Sequence, residues 1–355
     1  MTRILSSFDR WANRSPLIRA DLARYRVVYA VLVLLTMPNE LFTSSIPRAY
    51  FAPPPGPFSL LDGPPPFEVL VAFQVLLAVA LAALAVGVFV VPASLVTAVC
   101  LCFLWGILFS YGKIDHSIFL VLVPLLLAVA GWSKSNAQIR HWPIRLLAVL
   151  IGVGFVTAAM PKLTSGWLDP STQATKGHLI LKLFGQDPDG WLYSVATSIQ
   201  PSALWEIVDI ATVVLEFSVI LSVLSWKWFR VTLAVLSFFH LGVLLTFDIG
   251  FSANLIAYGA FVSWASFGGP RVTARASRAA PTRWPLPLRL GAVVVIAAGA
   301  LALSTVDIAV FEIFVRRLIV IGGAVGGATY LVVLTRRRIQ ARRGRENQAG
   351  QVLTR

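Results

Sequence analysis

Ten stretches of this chain are each apolar over about the 20 residues that a helix needs to cross a bilayer, and short connections join them. They lie near residues 26–42, 67–91, 93–109, 117–132, 143–160, 205–224, 229–247, 251–267, 288–306 and 317–334. Inside hydrocarbon, backbone amides have no water to bond, so a spanning segment must satisfy them within itself, as a helix does. The pattern therefore predicts an all-α, polytopic integral membrane bundle of about ten transmembrane helices. Composition agrees: 57% of residues are hydrophobic, 13% are charged, and mean hydropathy is +0.78. No connection is long enough for a sizeable soluble domain.

The formal net charge of +14 suggests nucleic-acid binding until the basic residues are placed. They sit in short clusters between apolar runs, where they orient helices, so no nucleic-acid partner is expected. With ten spans, the N-terminal side holds 23 of the 30 basic residues, including Arg3 to Arg26, Lys134, Arg271 to Arg289 and the tail from Arg336. Both termini are thus expected in the cytoplasm, in a multi-pass protein of the inner (plasma) membrane. No secretory signal peptide is read in the arginine-rich first 26 residues.

The two long connections, 43–66 and 161–204, then face outward. The first holds Pro53-Pro54-Pro55-Gly56-Pro57 and Pro64-Pro65-Pro66, expected to be extended. In the second, Leu179, Ile180, Leu183 and Phe184 recur at helical spacing over 175–186, predicting an amphipathic helix on the membrane surface. The tail 336–355 is expected to be disordered, anchoring the topology or lying on anionic head groups. Cys100 and Cys102 are two apart and point to different helix faces, which suits neither a redox pair nor a metal site. No metal-ligand spacing occurs elsewhere, so no metal is expected.

Ionisable groups in or at the rim of membrane helices are costly and mark function by default. Here they are Asp115, His116, Lys162, Glu206, Asp209, Glu216, His240 and Asp248. On the expected topology all fall toward the outer side, which suggests a polar cavity opening outward. Asp209 and Glu216 are seven apart and share a helix face. Plainer readings exist: Lys162 snorkelling to head groups, His116 and His240 bonded to helix-end carbonyls, Glu206 and Asp248 as interfacial caps.

Three segments resemble a known family. Phe155-Val-Thr-Ala-Ala-Met-Pro-Lys162-Leu163, followed by Trp167, resembles the part of vitamin K-dependent gamma-glutamyl carboxylase that carries its catalytic lysine. Lys113-Ile-Asp-His116-Ser117 looks like its lysine and Asn-His-Ser segment, and Phe239-His240-Leu241 with Gly250-Phe251 is similar to its Phe-His-Leu stretch. Together they resemble the HTTM (horizontally transferred transmembrane domain) group, bacterial relatives of the carboxylase membrane domain. The resemblance covers roughly residues 20–267. It divides the chain into an HTTM-like domain (1–267), two additional transmembrane helices (268–335) and a basic cytoplasmic tail (336–355).

What the resemblance implies is a membrane-embedded enzyme with quinol-dependent carboxylase- or oxygenase-like (lyase) chemistry near the outer leaflet. Its cofactor would be a reduced, vitamin K- or menaquinol-like quinone. Lys162 takes the base role, His116 and His240 bond the quinol oxygen or a developing anion, and Lys113, Asp115, Trp167, Asp209 and Glu216 line the substrate site. Two departures stand out: Asp115 replaces an Asn, and no large domain follows the membrane part to dock a protein substrate. The competing functions are a transporter or lipid-binding protein, and a non-catalytic partner of a redox, secreted or membrane protein. Membrane lipids and an isoprenoid quinone are the expected small partners.

Overall fold

A computed structural model describes residues 2–38, 40–132, 139–185, 193–268, 285–305 and 308–353. Among these every regular element is helical and none is a strand. In chain order the α-helices are α1 (Thr2–Ala12), α2 (Arg19–Leu35), α3 (Phe67–Val86), α4 (Val90–Phe109), α5 (Ile118–Ala130), α6 (Trp142–Thr164) and α7 (Ala174–Gly185). They continue with α8 (Tyr193–Ser198), α9 (Ser202–Ser222), α10 (Trp226–Phe247), α11 (Ser252–Tyr258), α12 (Leu286–Thr305) and α13 (Ile308–Leu353). Six are long and apolar enough to cross a membrane: α3, α4, α6, α10, the Leu286–Leu303 part of α12 and the Ile313–Ala341 part of α13. Of the basic residues used to orient the chain, Lys134, the arginines of 271–283 and Arg355 lie outside the described residues.

The chain forms two compact units, Met1–Gly154 with Phe251–Arg316, and Phe155–Gly250 with Arg317–Arg355. In the first, α3 and α4 form a hairpin, α5 packs on α4, and α2 and α12 pack on α3. Gly87, at φ +77°, ends α3 in the left-handed conformation that glycine adopts without penalty, and its carbonyl accepts from Arg289 at 2.5 Å. Two tyrosine hydroxyls buried inside this unit are matched. Tyr25 Oη donates to Ile256 O and Tyr29 Oη to Leu120 O, each at 2.6 Å, as buried hydroxyls require.

The helix expected over 26–42 begins earlier, at Arg19. The Asp21 carboxylate accepts the Ile18 N–H at 2.8 Å, satisfying one of the amides that a helix start leaves open, and Pro38 stands just past the other end. The span expected at 251–267 is broken. After α11 come two 3₁₀ turns, Gly259–Phe261 and Trp264–Gly268. Tertiary contacts hold the break: Asp21 accepts the Ala265 N–H at 2.7 Å and Arg24 donates to Trp264 O at 2.7 Å. Residues 254–261, which include the first of these turns, are buried.

In the second unit α9 pairs with α10, and α7 lies on α9 through a small apolar core of Leu179, Ala196 and Trp205. The expected amphipathic helix at 175–186 is α7. Gly327 of α13 comes so close to α10 that a Cβ there would stand 3.0 Å from the Ala234 carbonyl oxygen, the close backbone approach that small residues allow in membranes. The tail differs from expectation. Instead of being disordered after Arg336, the chain stays helical to Leu353, because its Arg, Gln, Ala and Glu residues are good helix formers.

Candidate functional site

The second unit holds the densest set of ionisable groups. Pro161 lies within the last turn of α6 and Lys162 follows it. Glu216 stands on the inner face of α9, which presents Trp205, Asp209, Thr212, Val213, Glu216 and Val219 inward at helical spacing. Lys162 Nζ donates to both Glu216 oxygens, at 2.5 and 2.6 Å. The pair is largely shielded, with side-chain exposures of 19% and 7%. Charges taken out of water need such a partner, so a bidentate ion pair joins α6 to α9.

The turn after α6 supplies the third member. Gly166 takes φ +84°, its carbonyl accepts the Asp169 N–H and the Thr172 hydroxyl, and the Asp169 side chain accepts the Ser171 N–H and hydroxyl at 2.9 and 2.7 Å. This fold of the chain sets the Trp167 ring 5.2 Å from Lys162 Nζ, a cation–π distance, with His178 of α7 beside the same ring. The Ser171 backbone and hydroxyl donors hold the Asp169 carboxyl below its ordinary value. A depressed carboxyl stabilises the fold above its unfolded pKa, and the contribution is lost as pH falls through the folded value. Acidification below the ordinary carboxylate range should therefore loosen this turn. A fluorotryptophan resonance assigned to Trp167 should shift with that transition, and Asp169→Asn should abolish the dependence; a resonance indifferent to both would refute the positioning role.

Asp209 is fully buried two turns from Glu216, and its Oδ1 accepts the Thr175 N–H at 2.9 Å together with the Thr175 hydroxyl. Thr175 opens α7, so Asp209 acts as an N-terminal cap supplied from another helix, where the open amides and the helix dipole favour negative charge. His240 is buried on α10 with its ring against Phe155 and Phe239. Asp248 ends α10 at φ +51° and accepts from Arg317 of α13 at 2.8 and 3.1 Å, a forked ion pair. Glu206 is half-buried on α9.

No protein-family model, no curated protein and no solved structure matches this chain. Its chemistry is read from its own side chains.

The remaining residues singled out from sequence lie in the first unit. His116 precedes α5, its Nδ1 is 2.9 Å from the Asn254 Nδ2, and its ring stacks on Phe119 at 5.2 Å and approaches Phe251. With the amide nitrogen donating, the imidazole proton resides on Nε2, an assignment that rests on hydrogen-bond logic. Asp115 is exposed and its Oδ1 accepts the Ser117 N–H at 2.7 Å, shaping the turn into α5. Lys113 is exposed on the same loop. Thus Lys162, Glu216 and Trp167 come together, Asp209 meets Thr175, and His116 meets Asn254.

Asn254 and Thr175 were not singled out from sequence. Each carried a signal: Asn254 is an amide inside an apolar run, and such a group needs a partner when buried; Thr175 stands at the start of an amphipathic segment, where hydroxyls cap helices. Among the described residues no group of three or more His, Cys, Asp or Glu side chains is disposed to hold a metal ion.

Proposed function

We propose that this protein is a membrane-embedded enzyme of the HTTM type, in which Lys162 takes a proton from a weakly acidic, lipid-soluble substrate such as an isoprenoid quinol. Ten crossing segments with both termini cytoplasmic, in the plasma membrane, fit the distribution of basic residues. The segment formed by α11 and its 3₁₀ turns is then the eighth, and the Lys162 end of α6 faces the outer leaflet.

One observation carries this reading: the Lys162 amine is bonded to both oxygens of a carboxylate beside an aromatic ring. A general base needs a geometry in which its proton has somewhere to go. A proton shared between an amine and a carboxylate in apolar surroundings can reside on either, so Lys162 can meet substrate as a free amine while Glu216 holds the proton. Trp167 offers a flat apolar surface against which a quinol ring can lie, and Lys162 Nζ, 5.2 Å from the centre of the Trp167 ring, is close by for the hydroxyl. These residues fit a reduced quinone. When bound, that group supplies reducing electrons and an oxygen that becomes strongly nucleophilic on deprotonation. Lys162, Glu216 and Trp167 bind, orient and move the proton.

The test compares wild type with Lys162→Arg in nanodiscs supplied with a reduced menaquinone-type quinol, oxygen and bicarbonate. Arginine keeps a forked bond to Glu216 but does not deprotonate at any accessible pH. Quinol consumption should fall by about 100-fold or more, the usual scale of a positioned base, with thermal stability retained. Full turnover in that variant would remove the base role. Lipid that co-purifies equally with both proteins, without turnover in either, would favour a lipid-binding or transport function.

A further inference from the structure

Most of the circumference of α9 is apolar, yet Glu206, Asp209, Thr212 and Glu216 follow one another at intervals of three and four residues. On a helix that spacing makes one stripe. Asp209, Thr212 and Glu216 are buried, whereas Ile207, Val208, Ile210 and Val214 on the other side are exposed. The stripe starts in the first turns of α9 and ends at the Lys162 pair, with Asp209 and Glu216 roughly 10 Å apart along the axis at about 1.5 Å per residue.

Packing does not consume all of its oxygens. Oδ1 of Asp209 takes both Thr175 donors. Oδ2 of the same carboxylate and Oε1 of Glu206 are buried atoms that meet no hydrogen-bond partner among the described residues. Asp209 is fully buried, and an acceptor so placed needs a proton or a water molecule. Between Asp209 and Glu216, Thr212 donates its hydroxyl to the Val208 carbonyl, which leaves the oxygen lone pairs able to receive a donor. The other charged or titratable groups carried by elements packed on α9 are Lys176, His178 and Lys182 on α7, and Lys227, Arg230 and His240 on α10.

We propose that this stripe is a proton path linking the Lys162–Glu216 pair to water at the N-terminal end of α9. The inference rests on reading that pair as one that handles protons. An N–H bond of Lys162 breaks as an O–H bond forms on Glu216. That proton passes through water past the Thr212 hydroxyl to Oδ2 of Asp209, then to Glu206 and to bulk water. Glu216 returns to carboxylate and nothing is oxidised or reduced. The reverse sequence delivers a proton. α7, tied to Asp209 through Thr175, roofs the path.

The test uses the full chain in nanodiscs without substrate. After a rapid pH jump, isotope-edited infrared spectroscopy follows protonation of the Glu216 carboxylate, assigned by difference from Glu216→Gln. Asp209→Asn, which keeps an acceptor for Thr175, should slow this protonation by about 100-fold, the scale at which a positioned proton carrier acts. Glu206→Gln should slow it by a smaller factor. Thr175→Val should lower thermal stability, whereas Glu206→Gln should slow the rate with stability retained, which separates holding α7 from carrying protons. Wild-type rates in both Asp209→Asn and Glu206→Gln would overturn the path. Should Asp209→Asn fail to fold, an unchanged rate in Glu206→Gln alone would overturn it, and slowing there would support it. The outcome is independent of turnover: a path that holds in a protein whose Lys162→Arg variant is fully active would leave the relay standing and remove the base role of Lys162.

Discussion

Replacing Glu216 by alanine is expected to cost about 3–5 kcal/mol, the usual result of stripping one partner from a buried ion pair. The substitution leaves the Lys162 amine, which now donates twice to Glu216, with the Trp167 ring as its nearest stabilising neighbour. A cation over an aromatic face recovers only about 0.5–2 kcal/mol, so the loss is not made good locally. The lysine must then turn toward head groups or lose its charge, and either change loosens the end of α6 from α9. The measurement is thermal unfolding in a fixed detergent, with the Lys162→Met, Glu216→Leu double variant as the companion. Removing both charges together should restore most of the stability, because desolvation then no longer has to be offset. Equal losses in the single and double variants would show that the side chains matter for their packing and not for their charge.

The second large effect is expected at Gly154 on α6. A Cβ at that position would stand 2.5 and 2.7 Å from two atoms of the Phe119 ring, well inside van der Waals contact. Phe119 on α5 is 1% exposed, so its ring has no open space to move into. Gly154→Val should therefore cost about 3 kcal/mol, the upper range for inserting bulk into a packed core. Gly242 on α10 is the control: nothing lies within 4 Å of its Cβ position, and alanine there should stabilise the helix by up to about 1 kcal/mol. Pairing Gly154→Val with Phe119→Leu should recover part of the loss. A neutral Gly154→Val would mean that the two helices are less closely packed than described.

The legibility of the fold followed the strength of its periodic signals. Long apolar runs marked α3, α4, α6, α9 and α10 to within a few residues, because a run of such length in lipid has one good solution. The amphipathic spacing of Leu179 and its neighbours marked α7 equally well. The break after α11 was invisible, since the hydropathy of 251–267 is that of a span. The Asp21 and Arg24 bonds to the backbone at Ala265 and Trp264, which sequence does not show, help to hold irregular chain there. The helical tail was misread for the opposite reason: polarity argued for disorder, while helix propensity does not depend on hydrophobicity.

For the candidate site, the identity of the ionisable residues could be read from sequence, but their partners could not. Sequence by itself settled that the chain is an all-helical protein with membrane-crossing segments, and that a handful of titratable groups are placed where they are costly. It did so because both follow from local hydrophobicity, a property each segment carries alone. Tertiary structure decided that Lys162 pairs with Glu216, that Asp209 caps α7 through Thr175, and that His116 meets Asn254. These pairings join residues 34 to 138 positions apart. The free energy of a charge or buried amide depends on what stands within a few ångströms of it, and only the packed chain sets that.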